Sequence, residues 1–173
     1  LKQLILHIPH SSDYIPDFSG YLVDSKSLNE EILLLTDWHT EDLFKTENDI
    51  SIAANFSRVF CDVERFANDK EEIMSKFGMG VLYTTFDNGN QQRNVSNELR
   101  NEILQMYYYP HHERLTNAVK QQLEKSETAL IIDCHSFSDE PFQRDLNQSV
   151  PRPDICIGTD YFHTPEYLID FSK

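Results

Sequence analysis

Two uninterrupted apolar runs, far apart in the chain, both end in histidine. Leu4-Ile5-Leu6-His7-Ile8-Pro9-His10-Ser11-Ser12 lies near the start, and Leu130-Ile131-Ile132-Asp133-Cys134-His135-Ser136 lies far downstream. A run with no alternation to polar residues predicts a strand covered on both faces, as in a parallel sheet flanked by helices. In such a sheet the ligand site lies beyond the carboxyl ends of the strands. Two histidines delivered there from distant segments make a metal site the first expectation to test. His7, inside the first run, takes a structural place in the strand.

Length and charge bound what surrounds those strands. The 173 residues, 39% hydrophobic and 12% aromatic, suffice for one domain with a core. Acidic residues number 29 against 15 basic ones, a net charge of −14 spread along the chain. That disfavours nucleic acid, which needs a basic face, and disfavours an anionic membrane surface for the same reason. It leaves room for an anionic small molecule, because a pocket can set one arginine against the overall field. Cys61, Cys134 and Cys156 are odd in number, lie in apolar stretches and form no Cys-x-x-Cys. Buried free thiols in a reducing compartment are expected. No apolar run approaches the about 18 residues of a membrane span, and no leader pattern opens the chain. The expectation is a soluble, cytoplasmic protein.

Between the strands, Ser27-Leu28-Asn29-Glu30 has the form of a capping box and predicts a helix to about Phe44. Its apolar residues, among them Leu33, Leu34, Trp38 and Phe44, fall on all sides, the pattern of a buried helix. Short strands are expected over Asn48 to Ala54, Arg58 to Val63, Gly80 to Thr84 and Ile155 to Gly158. A helical pattern from Asn97 to Lys125 should split or kink at Pro110. Helical material follows Pro165. Strands alternating with helices predict an α/β domain with a mixed, largely parallel sheet flanked by helices.

Several side chains in this frame carry chemistry. His10 and His135 follow their strands as candidate metal ligands, and Asp133, two residues before His135, lies on the same side of the strand and suits a carboxylate that orients an imidazole. Two acids compete as third ligand. Asp13 forms His-x-x-Asp with His10, whereas Asp37 sits in an otherwise apolar helix, where an unpaired carboxylate is costly and a cation would relieve it. A salt bridge from Asp37 to Arg58 or Arg65 is the plainer alternative. Arg65, after a buried run, offers a fork to a substrate carboxylate, or pairs with Asp62 or Glu64. His111 and His112, at a helix start, are candidate acids or bases. No Gly-x-Ser-x-Gly, His-Glu-x-x-His, Walker loop or dinucleotide fingerprint occurs.

As a set, these residues resemble one family. His7-Ile8-Pro9-His10-Ser11-Ser12, Thr36-Asp37-Trp38-His39-Thr40-Glu41, Arg58-Val59 with Asp62-Val63-Glu64-Arg65-Phe66, Tyr109-Pro110-His111-His112 and Asp133-Cys134-His135-Ser136-Phe137 resemble, in order and spacing, the N-formylglutamate amidohydrolases. The resemblance implies a phosphorylase/hydrolase-like fold shared with zinc carboxypeptidases. It also implies Zn²⁺, or another divalent metal, and hydrolysis of N-formyl-L-glutamate to formate and glutamate. It favours His10, Asp37 and His135 as metal ligands, with Asp37 preferred to Asp13, and Arg65 as the binder of a substrate carboxylate. Members of the family are longer and carry a glutamate motif near their C-terminus that is absent here. Residues 1–173 therefore read as a single metallohydrolase-like domain short of its C-terminal part, with no assigned general base. The alternatives are a carboxypeptidase-like or N-acyl amino acid deacylase activity, or a metal- and amino-acid-binding domain without turnover.

Overall fold

A computed structural model describes residues 3–143, 145 and 147–172. They group into two compact units, residues 1–137 and 138–173. The first unit is built on a three-stranded parallel sheet in the order β2-β1-β3, with β1 Ile5–Ile8, β2 Ile50–Ala53 and β3 Ile131–Asp133. β1 is the central strand and is buried throughout, as its unbroken apolar run predicts. Leu6 and Ile8 pack with Cys134 on one face, and Ile5 packs with Ile52 and Ala118 on the other. His7 follows Ile5 by two residues and shares that second face. The register pairs His7 with Asp133 and Ile8 with Ala53, so the ends of all three strands lie side by side.

The helix expected over Ser27 to Phe44 is two helices. α1 spans Ser25–Leu35 and is capped by Asp24, whose carboxylate accepts from Ser27 N at 2.7 Å. Thr36 turns extended, His39 adopts the left-handed conformation (φ 64°), and α2 follows over Thr40–Phe44. The helices bury one stripe and not all sides. Leu28, Ile32 and Leu35 are in the core, whereas Leu33, Leu34, Trp38, Leu43 and Phe44 are exposed.

Arg58 to Val63 is buried but is no strand, because Ser57 O accepts from both Phe60 N and Cys61 N and closes a turn. Gly80 to Thr84 forms isolated bridges, Met79 with Tyr83 and Thr85 with Gln91, and no strand. At Pro110 the long helix is neither split nor ended. α3 (Asn97–Ile103) runs through a π-helical turn, Leu104–Tyr108, into α4 (Tyr109–Ser126), and Pro110 follows directly on that turn, where the regular hydrogen-bond ladder is already interrupted. α4 packs on β1 and β2.

In the second unit, Ile155 to Gly158 forms no strand: Ile155 and Ile157 are exposed, with no neighbouring strand to pair an apolar run. Helix α5 covers Glu166–Phe171, where Pro165 predicts a start. Cys61 and Cys134 are buried free thiols as expected, whereas Cys156 is exposed because that segment lacks cover. Among the described residues no helix is long and apolar enough to cross a membrane.

Candidate metal centre

Parallel pairing delivers the two strand-end histidines to one place. His10 lies two residues beyond β1 and His135 two beyond β3, and their ring centroids are 5.2 Å apart. The break after α1 supplies the acid. Asp37 N donates to His10 O at 3.0 Å, and Thr40 Oγ1 donates to Asp37 O at 2.8 Å, so backbone bonds fix the carboxylate beside His10. His10, Asp37 and His135 each bring a potential ligand atom within 4.8 Å of the others.

The hydrogen bonds around His10 decide its tautomer. Asp62, fully buried, lies 2.8 Å from His10 Nε2 through Oδ1, and its Oδ2 accepts from Tyr83 Oη at 2.7 Å. An ionised carboxylate only accepts, so Nε2 carries a proton, and in the neutral ring Nδ1 presents a lone pair. That Nδ1 is buried, has no hydrogen-bond partner and stands 3.8 Å from Asp37 Oδ2. A carboxylate–imidazole pair with its second nitrogen free is the arrangement that prepares a histidine to ligate a metal.

His135 shows the charge that the cluster requires. Its Nδ1 lies 2.8 Å from Asp37 Oδ2 and its Nε2 3.2 Å from Glu64 Oε1, while Asp133 Oδ1 is 3.8 Å away. Burial opposes protonation of this ring, yet the bonds to Asp133, Asp37 and Glu64 push its pKa up to about 12. Burial likewise opposes charge on Asp37, but His10, His135 and Arg58 hold its pKa below the ordinary carboxylate value. Carboxylates gathered around one imidazole favour positive charge at that place. Two imidazole nitrogens and a carboxylate oxygen are a zinc donor set with room for a fourth ligand.

Two other groups come equally close, His7 with Glu64 and Asp133, and His10 with Asp62 and Glu64. They differ in one respect. Both His7 nitrogens already have partners, Asp133 at 2.7 Å and His111 at 2.8 Å, and His10 Nε2 is committed to Asp62. Among the described residues, the triad with Asp37 is the one of the three that includes a buried nitrogen without a hydrogen-bond partner, His10 Nδ1, while both His135 nitrogens are bonded to carboxylates.

The other expected residues separate clearly. Asp13 is exposed and belongs to none of these clusters among the described residues. Asp133 makes its short bond to His7 and stands further from His135. Arg65 is partly exposed, 3.5 Å from Asp62 and 3.9 Å from Glu72, and its Nε is buried without a hydrogen bond. Arg58 is the ion-pair partner of Asp37, at 3.6 Å. His111 reaches the cluster only through His7, and His112 Nε2 donates to Val63 O at 2.9 Å.

Sequence reasoning missed Asp62 and Glu64 as members of the site. Glu64 Oε2 lies 3.3 Å from His10 Nε2, so this one side chain spans both histidines. The signal was present: an acid directly after a buried apolar run must find a cation, as was argued for Asp37.

The family model described as N-formylglutamate amidohydrolase matches residues 2–170. No curated protein matches. A crystal structure of N-formylglutamate amidohydrolase from Ralstonia eutropha superposes with a TM-score of 0.66 at 21% identity, covering 75% of this chain and 52% of that one. The chain therefore spans about half the length of that neighbour. The likeness of the structures carries the fold, a small parallel α/β sheet flanked by helices, and the sequence match over nearly the whole chain carries the kinship: this protein belongs to the N-formylglutamate amidohydrolase family.

Proposed function

We propose that the chain is a zinc-dependent amidohydrolase that converts N-formyl-L-glutamate and water to formate and L-glutamate. The observation that carries this reading is the buried, unpartnered Nδ1 of His10 facing Asp37 and His135. A divalent cation held by His10, Asp37 and His135 would supply Lewis-acid polarisation of the amide carbonyl and make water acidic enough to attack near neutral pH. Asp62 keeps the His10 tautomer fixed for that purpose. Glu64 is the most exposed carboxylate touching both histidines, and it is our choice for taking the proton from water and returning it to the departing amine. Arg65, partly exposed and held beside Asp62, binds the substrate's carboxylate and so aligns the amide. We read residues 1–173 as belonging to one metallohydrolase-like domain that acts on small N-acyl amino acids. Three free cysteines suit the reducing cytoplasm.

The test is zinc reconstitution with elemental analysis, followed by assay of N-formylglutamate beside N-acetyl amino acids and short peptides. One zinc per chain, its loss in His10→Ala, and preferred release of formate are expected. Absence of stoichiometric metal after reconstitution would overturn the reading. A metal- and amino-acid-binding domain without turnover is the second reading, favoured by the carboxylates that already bond both His135 nitrogens. Its result is metal binding with no hydrolysis of any substrate in the panel.

A further inference from the structure

A line of hydrogen bonds leaves the cluster on the side away from His10. His7 Nδ1 lies 2.7 Å from Asp133 Oδ1, His7 Nε2 lies 2.8 Å from His111 Nε2, and His111 Nδ1 lies 3.3 Å from an Arg114 guanidinium nitrogen. The same nitrogen donates to Ala53 O, at the end of β2, at 2.9 Å. β1, β2 and β3 thus each contribute one member and α4 two.

The two ends of this line differ in kind. Arginine has no acceptor, so His111 Nδ1 must receive and His111 Nε2 must carry the proton. His111 Nε2 then donates to His7 Nε2, and His7 Nδ1 donates to the Asp133 carboxylate. Starting from Asp133, which can only accept when ionised, gives the same order. The opposite order would set a lone pair against the carboxylate at one end and an N–H against the guanidinium at the other. The hydrogen-bond order therefore assigns one tautomer to each ring. The surroundings agree, since burial, then the neighbouring His7 and Arg114, lower the His111 pKa to about 3.

We propose that Arg114 and His111 act as positioning residues, setting the tautomer of His7 and through it the orientation of the Asp133 carboxylate beside His135. This rests on the metal-centre reading, because an oriented Asp133 matters to chemistry only if His135 is a ligand. Asp133 Oδ1 stands 3.8 Å from His135 Nε2, close enough for a rotation of the carboxylate to alter how that ring is held. The π-helical turn directly before α4 sets the angle at which His111 meets His7, so the device depends on helix placement as well as on side-chain identity.

The experiment is long-range ¹⁵N correlation NMR of the whole chain near neutral pH, with and without zinc, beside zinc affinity from chelator competition. Protonated Nδ1 on His7 and protonated Nε2 on His111 are expected. Arg114 is exposed, so Arg114→Ala leaves the core intact. That variant should show mixed tautomers at His111 and about tenfold weaker zinc binding, and Arg114→Lys, which restores a donor, should recover both. His7 found with its proton on Nε2, or Arg114→Ala with unchanged tautomers and zinc affinity, would overturn the proposal. Wild-type protein that binds no zinc would remove the metal-centre reading, while the tautomers in metal-free protein would still decide the hydrogen-bond order.

Discussion

Asp62 has no exposed surface and gathers polar partners on every side: His10, Tyr83 and the Glu64 N–H bond it, and Arg58 and Arg65 stand 3.6 and 3.5 Å away. Burial opposes its charge, but His10, Arg58 and Arg65 hold its pKa far below the usual carboxylate range. Asp62→Ala leaves buried cations without their counterion and should cost about 3–5 kcal/mol, measured by urea denaturation at neutral pH. A carboxylate whose folded pKa lies below its unfolded value of about 3.9 stabilises the fold above that pH, and the contribution is lost as pH falls through the folded pKa. The deficit of the variant should therefore be constant from neutral pH to about 4 and shrink only in stronger acid. A deficit that vanished by about pH 5 would contradict the ion-pair origin. His10 and His135 were legible as residues because each ends a local apolar run. Asp62 was visible only as a neighbour of Arg65, since its bond to His10 joins residues that only folding brings together.

At the scale of elements, the break between α1 and α2 does most to build the centre. It turns an acid that a continuous helix would bury among leucines into a loop residue tied to His10 by backbone. His39 is the non-glycine residue that holds the left-handed conformation there. His39→Gly removes the Cβ conflict and should be neutral or slightly stabilising. His39→Val, branched at Cβ, should cost about 1–2 kcal/mol and weaken zinc binding, because the turn that carries Asp37 would shift. Equal stability of the two variants in denaturant titrations would show that the conformation is not under strain. The capping pattern announced a helix correctly, but its end was hidden. Thr36 stops α1 by bonding Ile32 O twice, through its amide and its hydroxyl, and a threonine after a leucine run does not signal that by itself.

The whole molecule carries a net charge of −14 and gathers four of its carboxylates, Asp37, Asp62, Glu64 and Asp133, around two imidazoles. A cation that binds only the folded form should stabilise it by mass action. Zinc at about 100 times its Kd would add about 2.7 kcal/mol, a rise of about 5–10 °C in Tm for a chain of this size. Differential scanning calorimetry with zinc and then excess chelator checks this, and His10→Ala should lose the shift. A shift that survived in His10→Ala would place the cation elsewhere.

The sequence by itself determined the strands that carry histidine, the α/β class and the family, because unbroken apolar runs and short motifs are local properties of the chain. It also narrowed the candidate ligands to His10, His135 and one of two acids. The tertiary structure placed Asp37, which the family resemblance already preferred, and not Asp13 beside His10, gave Asp133 to His7, and brought Asp62 and Glu64 to the same cluster. Those outcomes depend on strand register, a helix break and a buried turn, and each is fixed by contacts between residues that lie far apart along the chain.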